Sequence, residues 1–175
     1  LTVHQNLLPE LPAGVTELAN LRTLGLQQNH ISDLPVGIYA LLKLQALDLD
    51  QNQLQLLPGS ISELTNLKEL RLHQNRLEAL PEGLSTLTNL HMLAVHENKL
   101  TQVPMGMSCL KSLQTLFLSH NQIERFAPGL LSPLQSLHGL YLRGTRLQAV
   151  PEDIADMVAL HSLRLDQNRI STIPD

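Results

Sequence analysis

A 23-residue period runs through this chain and leaves few folds open to it. Asn6, Asn29, Asn52, Asn75, Asn98 and Asn121 each stand 23 residues after the last, in the same local context. The next equivalent position, Thr145, falls 24 residues on, and Asn168 returns to 23. The extra residue fits in the connecting stretch Leu130 to Leu134, where other copies have a spacing such as Leu84 to Leu87. A unit this short cannot bury its own apolar face, so each copy must stack on its neighbours in one continuous solenoid.

Each copy reads like Leu67-Lys-Glu-Leu70-Arg-Leu72-His-Gln-Asn75-Arg-Leu77, followed by Leu80-Pro81-Glu-Gly-Leu84 and Leu87. The alternation Leu70, Leu72 predicts a short strand with one face buried, and stacking sets these strands side by side as a parallel sheet. Burial of each leucine is worth about 2 kcal/mol before entropy is subtracted. Strands are expected near 1–5, 22–27, 45–50, 68–73, 91–96, 114–119, 138–143 and 161–166. After each turn comes a Leu-Pro or Val-Pro pair, as at Leu34-Pro35, Leu57-Pro58, Leu80-Pro81, Val103-Pro104 and Val150-Pro151. Proline lacks a donor and disfavours helix in the residue before it. The eight to ten residues left per copy have room only for short 3₁₀ or one-turn elements.

The pattern L-x-x-L-x-L-x-x-N-x-L resembles the leucine-rich repeat. Its 23-residue form with the Leu-Pro step is similar to the typical repeats of intracellular scaffolds such as Scribble, the Ras-suppressor proteins and Roco GTPases. The resemblance covers eight copies, the first and last truncated, and so essentially residues 1–175 as one domain. It implies an α/β-type repeat solenoid: a curved horseshoe arc with a concave parallel sheet and short 3₁₀ or extended convex segments. It also implies recognition of a protein.

Composition supports a repeat core. The chain is 43% hydrophobic but only 2% aromatic, so leucine must do the packing. A net charge of −4 gives no global attraction for nucleic acid or anionic lipid. No apolar run is long enough to span a membrane. One cysteine, Cys109, cannot staple the fold alone, and no Asn-x-Ser/Thr acceptor occurs, so a reducing, cytoplasmic setting is expected. Cys109 lies between copies on the convex side, without a flanking histidine or basic cluster that would lower its pKa.

The column Asn6, Asn29, Asn52, Asn75, Asn98, Asn121 and Asn168 is structural in this reading. A side-chain amide offers both donor and acceptor to the turn that leaves the strand. Thr145 carries only a hydroxyl, so its turn should be less completely satisfied, with Gly144 adding pliability. Beside it, Gln5, Gln28, Gln51, Gln74 and Gln167, interrupted by Glu97, His120 and Gly144, form a polar border expected to hydrogen-bond along its length.

Strand alternation places a different set on the open, concave face. The central column is Thr2, Gly25, Asp48, Arg71, Ala94, Phe117, Tyr141 and Arg164. One flank carries Asp50, His73, His96 and Arg143; the other carries Glu69 and Met92. Phe117 and Tyr141 are two of only four aromatic residues and fall on adjacent strands, about 5 Å apart. Phe126 replaces a repeat leucine and is read as core. The face is graded, acidic early (Asp48, Asp50, Glu69), apolar in the middle (Met92, Phe117, Tyr141) and more basic late (Arg143, Arg164), a pattern that would orient a partner. The competing explanations are a pair that merely stabilises the sheet and an ordinary solvated surface.

His73 and His96 share a column, with His120 one column over. Glu97 is the only acid expected near them, and no metal site is inferred. Asp48 and Asp50 point the same way on an open sheet, without a cleft to desolvate them. With no phosphate loop, triad or paired-carboxylate pocket, the chain is expected to be neither an enzyme nor a cofactor carrier. It is expected to bind a protein on the concave face. Two alternatives stand beside that: the recognition part of a larger GTPase, kinase or ubiquitin ligase, and an extracellular receptor-type module. Both ends lack a polar capping copy, so flanking domains or caps are expected beyond them.

Overall fold

The structure is a computed structural model that describes residues 1–173. Seven strands form one open parallel sheet in chain order: β1 (Thr23–Gly25), β2 (Ala46–Asp48), β3 (Glu69–Arg71), β4 (Met92–Ala94), β5 (Thr115–Phe117), β6 (Gly139–Tyr141) and β7 (Ser162–Arg164). Register is constant, with Leu24, Leu47, Leu70, Leu93, Leu116, Leu140 and Leu163 in one row. Each strand is three residues long, shorter than its sequence pattern. Backbone hydrogen bonds do continue beyond it, for instance Leu26 N to Asp48 O and Gln28 N to Asp50 O. The first expected strand is reduced to an isolated bridge between Thr2 and Gly25.

Inward-facing leucines carry the core. Leu70, Leu72, Leu77, Leu84, Leu87 and Leu90 are all fully buried, and the same positions repeat along the arc. On the convex side, six 3₁₀ turns follow Pro12, Pro35, Pro58, Pro81, Pro104 and Pro151. The fixed proline φ delivers an extended residue and then one tight turn. From most of these turns one side chain drops inward: Ile38, Ile61, Leu84 and Met107 are buried. Tyr39, from the same layer, is also buried, which pushes its hydroxyl up to about 12. Phe126 is only partly buried, packed against the core rather than within it.

The stretch Ala127–Leu137 forms successive tight turns, closed by bonds such as Leu134 N to Leu131 O, in place of the 3₁₀ helix of the other copies. Its additional residue is taken up where Gly129 adopts φ +75° and Leu130, Leu131 and Leu134 all point inward, fully buried. Asp153, from the next copy, closes this loop: its carboxylate accepts from the backbone N–H groups of Gly129 (3.1 Å), Leu131 (2.8 Å) and Ser132 (3.4 Å).

The asparagines stitch each turn to the one before. Asn75 Nδ2 donates to Leu49 O (2.9 Å), Leu72 O (3.1 Å) and His73 O (3.3 Å), while its Oδ1 accepts from Leu54 N (3.0 Å). Asn52, Asn98 and Asn121 make the equivalent contacts. At the eighth-copy end, Asn168 bonds to Leu142 O and Leu165 O. Among the described residues the Asn6 side chain donates to Val3 O and His4 O, and the residue is exposed.

The neighbouring border column has a conformational role. Gln5, Gln28, Gln51, Gln74, Glu97, His120, Gly144 and Gln167 all have φ between +52° and +62°. One left-handed residue turns the chain out of each strand, and a non-glycine residue there costs roughly 1–2 kcal/mol. Bonding along the column is confined to places such as Gln74 Nε2 to Glu97 Oε2 (2.7 Å).

Candidate partner-binding surface

The sheet register sets the central column in order: Gly25, Asp48, Arg71, Ala94, Phe117, Tyr141, Arg164. Phe117 and Tyr141 stack, ring centroids 4.6 Å apart and planes within 17°. The Tyr141 ring lies back over Gly139, where an added Cβ would stand 2.9 Å from Cε2. Glycine two residues before the tyrosine thus makes room for the ring. Strand patterning alone marks Gly139 as an unremarkable member of its column.

The histidines extend this row. His73 and His96 stack at 4.4 Å, nearly coplanar in orientation, and His96 lies 5.9 Å from Phe117. Four rings from β3 through β6 and the turns beyond them therefore run side by side across the face. His96 is half-buried, and its Nδ1 is buried with no hydrogen-bond partner among the described residues. Burial, followed by the His73 ring beside it, holds the His96 imidazole below its ordinary value. Ala94, although in the open column, is 5% exposed, covered by longer side chains around it.

Asp50 departs from the expectation of an open, solvated carboxylate. It is 7% exposed. Its Oδ1 accepts from His73 N (2.7 Å), and its Oδ2 lies 2.5 Å from His73 Nδ1. Glu97 is thus not the only acid near the histidines; Asp50 on the adjacent strand is in direct contact. Burial, reinforced by Asp48 and opposed by His73, pushes the Asp50 carboxyl up to about 6. The side chains that cover one another across strands supply the desolvation that an open sheet seemed to preclude.

The other charges pair within the face. Arg71 lies between Glu69 (2.8 Å) and Asp48 (3.9 Å). Arg143 meets Asp166 (3.0 Å) and donates through Nε to Gln167. Arg164 is exposed and makes no ion pair among the described residues. One arginine is thus shared by two carboxylates and Asp50 is held by His73, so the early end stays net acidic, while the late end keeps Arg164 without an ion pair among the described residues. A groove of about 480 Å³ lies there, lined by Ser119, Tyr141, Arg143, Arg164 and Asp166. Met92, half-buried in the flanking column, lies beside Glu69 and Thr115.

The repeated strand, the asparagine-stitched turn and the short convex segment agree with two family models. One, described as a leucine-rich repeat region, matches residues 12–99; a second, leucine rich repeat, matches residues 88–147. This chain belongs to the leucine-rich repeat family. No curated protein matches the sequence.

Solved leucine-rich repeat structures share the fold closely. A leucine-rich repeat protein of Leptospira interrogans is 35% identical, with TM-score 0.95 over 99% of this chain and 44% of that one. The ectodomain of the plant membrane receptor kinase GASSHO1/SCHENGEN3 from Arabidopsis thaliana, solved in complex with CASPARIAN STRIP INTEGRITY FACTOR 2, is 29% identical, TM-score 0.83, over 92% and 20%. Internalin C2 of Listeria monocytogenes is 25% identical, TM-score 0.87, over 98% and 72%. The chain thus spans less than half the length of the first two. Leucine-rich repeat domains generally bind proteins, and the fold is typically a non-catalytic recognition module. Among the described residues, no helix is long and apolar enough to cross a membrane.

Proposed function

We propose that this leucine-rich repeat domain binds a protein partner on its concave face, centred on Phe117 and Tyr141 and flanked by Met92, His96, Arg143 and Arg164. The observation that carries this reading is the row of four rings on the open face of a sheet whose core needs no aromatic there. Aromatic and arginine side chains concentrate at binding hot spots. Asp48, Asp50, Glu69, Arg71 and His73 form the polar rim at the early end, with Asp50 and His73 holding that rim rigid rather than offering free charge.

Phe117→Asp combined with Tyr141→Ala is expected to abolish capture of the partner in a pull-down while the thermal transition barely moves. A large loss of stability in that variant would assign the pair to the sheet instead. A second reading is favoured by the likeness to a receptor kinase ectodomain: the chain would be the recognition part of a larger protein whose catalysis lies elsewhere.

A further inference from the structure

Resting on the concave face as the binding surface, we infer that the partner presents an acidic, extended segment, one carboxylate of which enters the groove beside Tyr141, Arg143 and Arg164.

Ring orientation is the first argument. Adjacent strands stand about 4.8 Å apart, and Phe117 and Tyr141 are stacked at nearly that spacing. Their faces are therefore turned towards one another along the arc, and their edges face outwards. The same holds for His73 and His96. A sugar ring would need an open aromatic face, and the stack covers most of these. Ring edges carry the positive side of the aromatic quadrupole, so they complement carbonyl and carboxylate oxygens or the face of a partner aromatic.

Charge is the second argument. At the early end, Arg71 sits between two carboxylates and Asp50 is already bonded to His73. With more carboxylates than cations, that end does not attract an anion from outside. At the late end, Arg143 is matched by Asp166, but both side chains are about half exposed, at 50% and 51%. Such a pair is worth little in water and exchanges readily. Arg164 lines the same groove as Asp166 but makes no ion pair among the described residues. The groove is lined by Ser119 and Tyr141 as well as by Arg143, Arg164 and Asp166. The local excess is one positive charge in an open groove of about 480 Å³, with room for one carboxylate side chain, and the ring edges continue the path towards β4. An extended acidic segment lying across the strands would meet guanidinium at one end and ring edges along the rest.

The test is selection from a library of short random peptides on the whole chain, in parallel on Phe117→Asp/Tyr141→Ala, Arg164→Glu and Arg164→Gln. Arg164 is exposed, so an unchanged thermal transition is expected for its variants. Peptides selected on the native chain should be enriched in Asp and Glu and should weaken as ionic strength rises. They should bind Arg164→Gln severalfold and Arg164→Glu roughly tenfold or more less tightly. Replacing the critical peptide carboxylate by lysine should restore binding to Arg164→Glu. Peptides that need Phe117 and Tyr141 but show no acidic excess, or that keep full affinity for Arg164→Glu, would overturn this inference and leave the concave-face reading standing. Peptides indifferent to the aromatic pair, or no binders at all, would overturn both. Equal competition by inorganic phosphate would make the recess a general anion site and also overturn the acidic-segment assignment.

Discussion

The turn at Asn75 and the turn at Thr145 occupy the same place in the repeat, three copies apart, yet they are held differently. Asn75 donates across three carbonyls and accepts from Leu54 N, tying its copy to the preceding one. Thr145 has one hydroxyl proton, shared between Leu142 O and Asn168 Oδ1. It supplies no counterpart to the amide that joins Asn121 to Leu100 N. Asn168 keeps the regular bonds of its own turn, to Leu142 O and Leu147 N, and adds only its acceptance of the Thr145 hydroxyl. The lesson is that regularity is relaxed in the copy that carries Gly139, Tyr141, Arg143 and the inserted residue, which is also the copy at the centre of the proposed binding surface.

That contrast can be broken by mutation, the largest effect being expected at Asn75. Asn75→Ala leaves Leu54 N–H without its acceptor, while Leu49 O and Leu72 O keep bonds to Asn52 and Asn98. One orphaned buried donor plus the lost bonds predicts about 3 kcal/mol of destabilisation in urea unfolding. Thr145→Ala should cost much less, and equal losses at the two sites would remove the contrast.

Gly144→Ala comes next. At φ +62°, the new Cβ would stand 2.7 Å from His120 Nδ1, so a loss of roughly 1–2 kcal/mol is expected by the same measurement. His120 is exposed and can swing aside, which keeps the figure from growing larger. Thr145→Asn should work in the other direction, restoring an acceptor for Ile123 N and a donor towards Leu118 O, with a gain of about 1 kcal/mol. No gain would show that Gly144 and the insertion, rather than the missing amide, set the local geometry.

The smallest effect concerns acid. Burial alone would raise the Asp153 carboxyl, but backbone N–H groups of the inserted loop, Gly129, Leu131 and Ser132 among them, outweigh it and hold it below its ordinary value. A carboxyl depressed in the folded state contributes stability that is complete above the unfolded value, near pH 3.8, and is lost as pH falls through the folded one. The protection of the amides of residues 129–132, measured against their intrinsic exchange rate at each pH, should therefore fall on acidification below about pH 4. Asp153→Asn should flatten that dependence; an unchanged profile would show that the loop is not closed by this carboxylate.

Much of this arrangement is legible in the sequence. The asparagine spacing alone establishes the register that aligns Phe117 with Tyr141, because a fixed period in a parallel sheet leaves no freedom to slip. The position of the insertion follows from Leu130 and Leu134 for the same reason. What the pattern does not reveal is how side chains on neighbouring strands cover one another. Asp50 reads as an open carboxylate until His73 is laid across it, and Gly139 has no visible role until the Tyr141 ring lies over it. The left-handed column is hidden because glutamine fills it in most copies, and only Gly144 betrays the backbone requirement. Asp153 was similarly invisible, since its partners are main-chain amides 21 to 24 residues away.

The paired asparagine bonds also have a mechanical consequence. Each links one copy to the next across the full width of the turn, so in series they act as stiff joints of equal strength. With fewer bonds at Thr145 than at the asparagine turns, bending of the arc is expected to fall between β5 and β6, beneath the stacked pair of rings. An arc that flexes at one fixed point opens or narrows its inner curve there first, and so can adjust its radius to what lies against it without loosening the rest of its length.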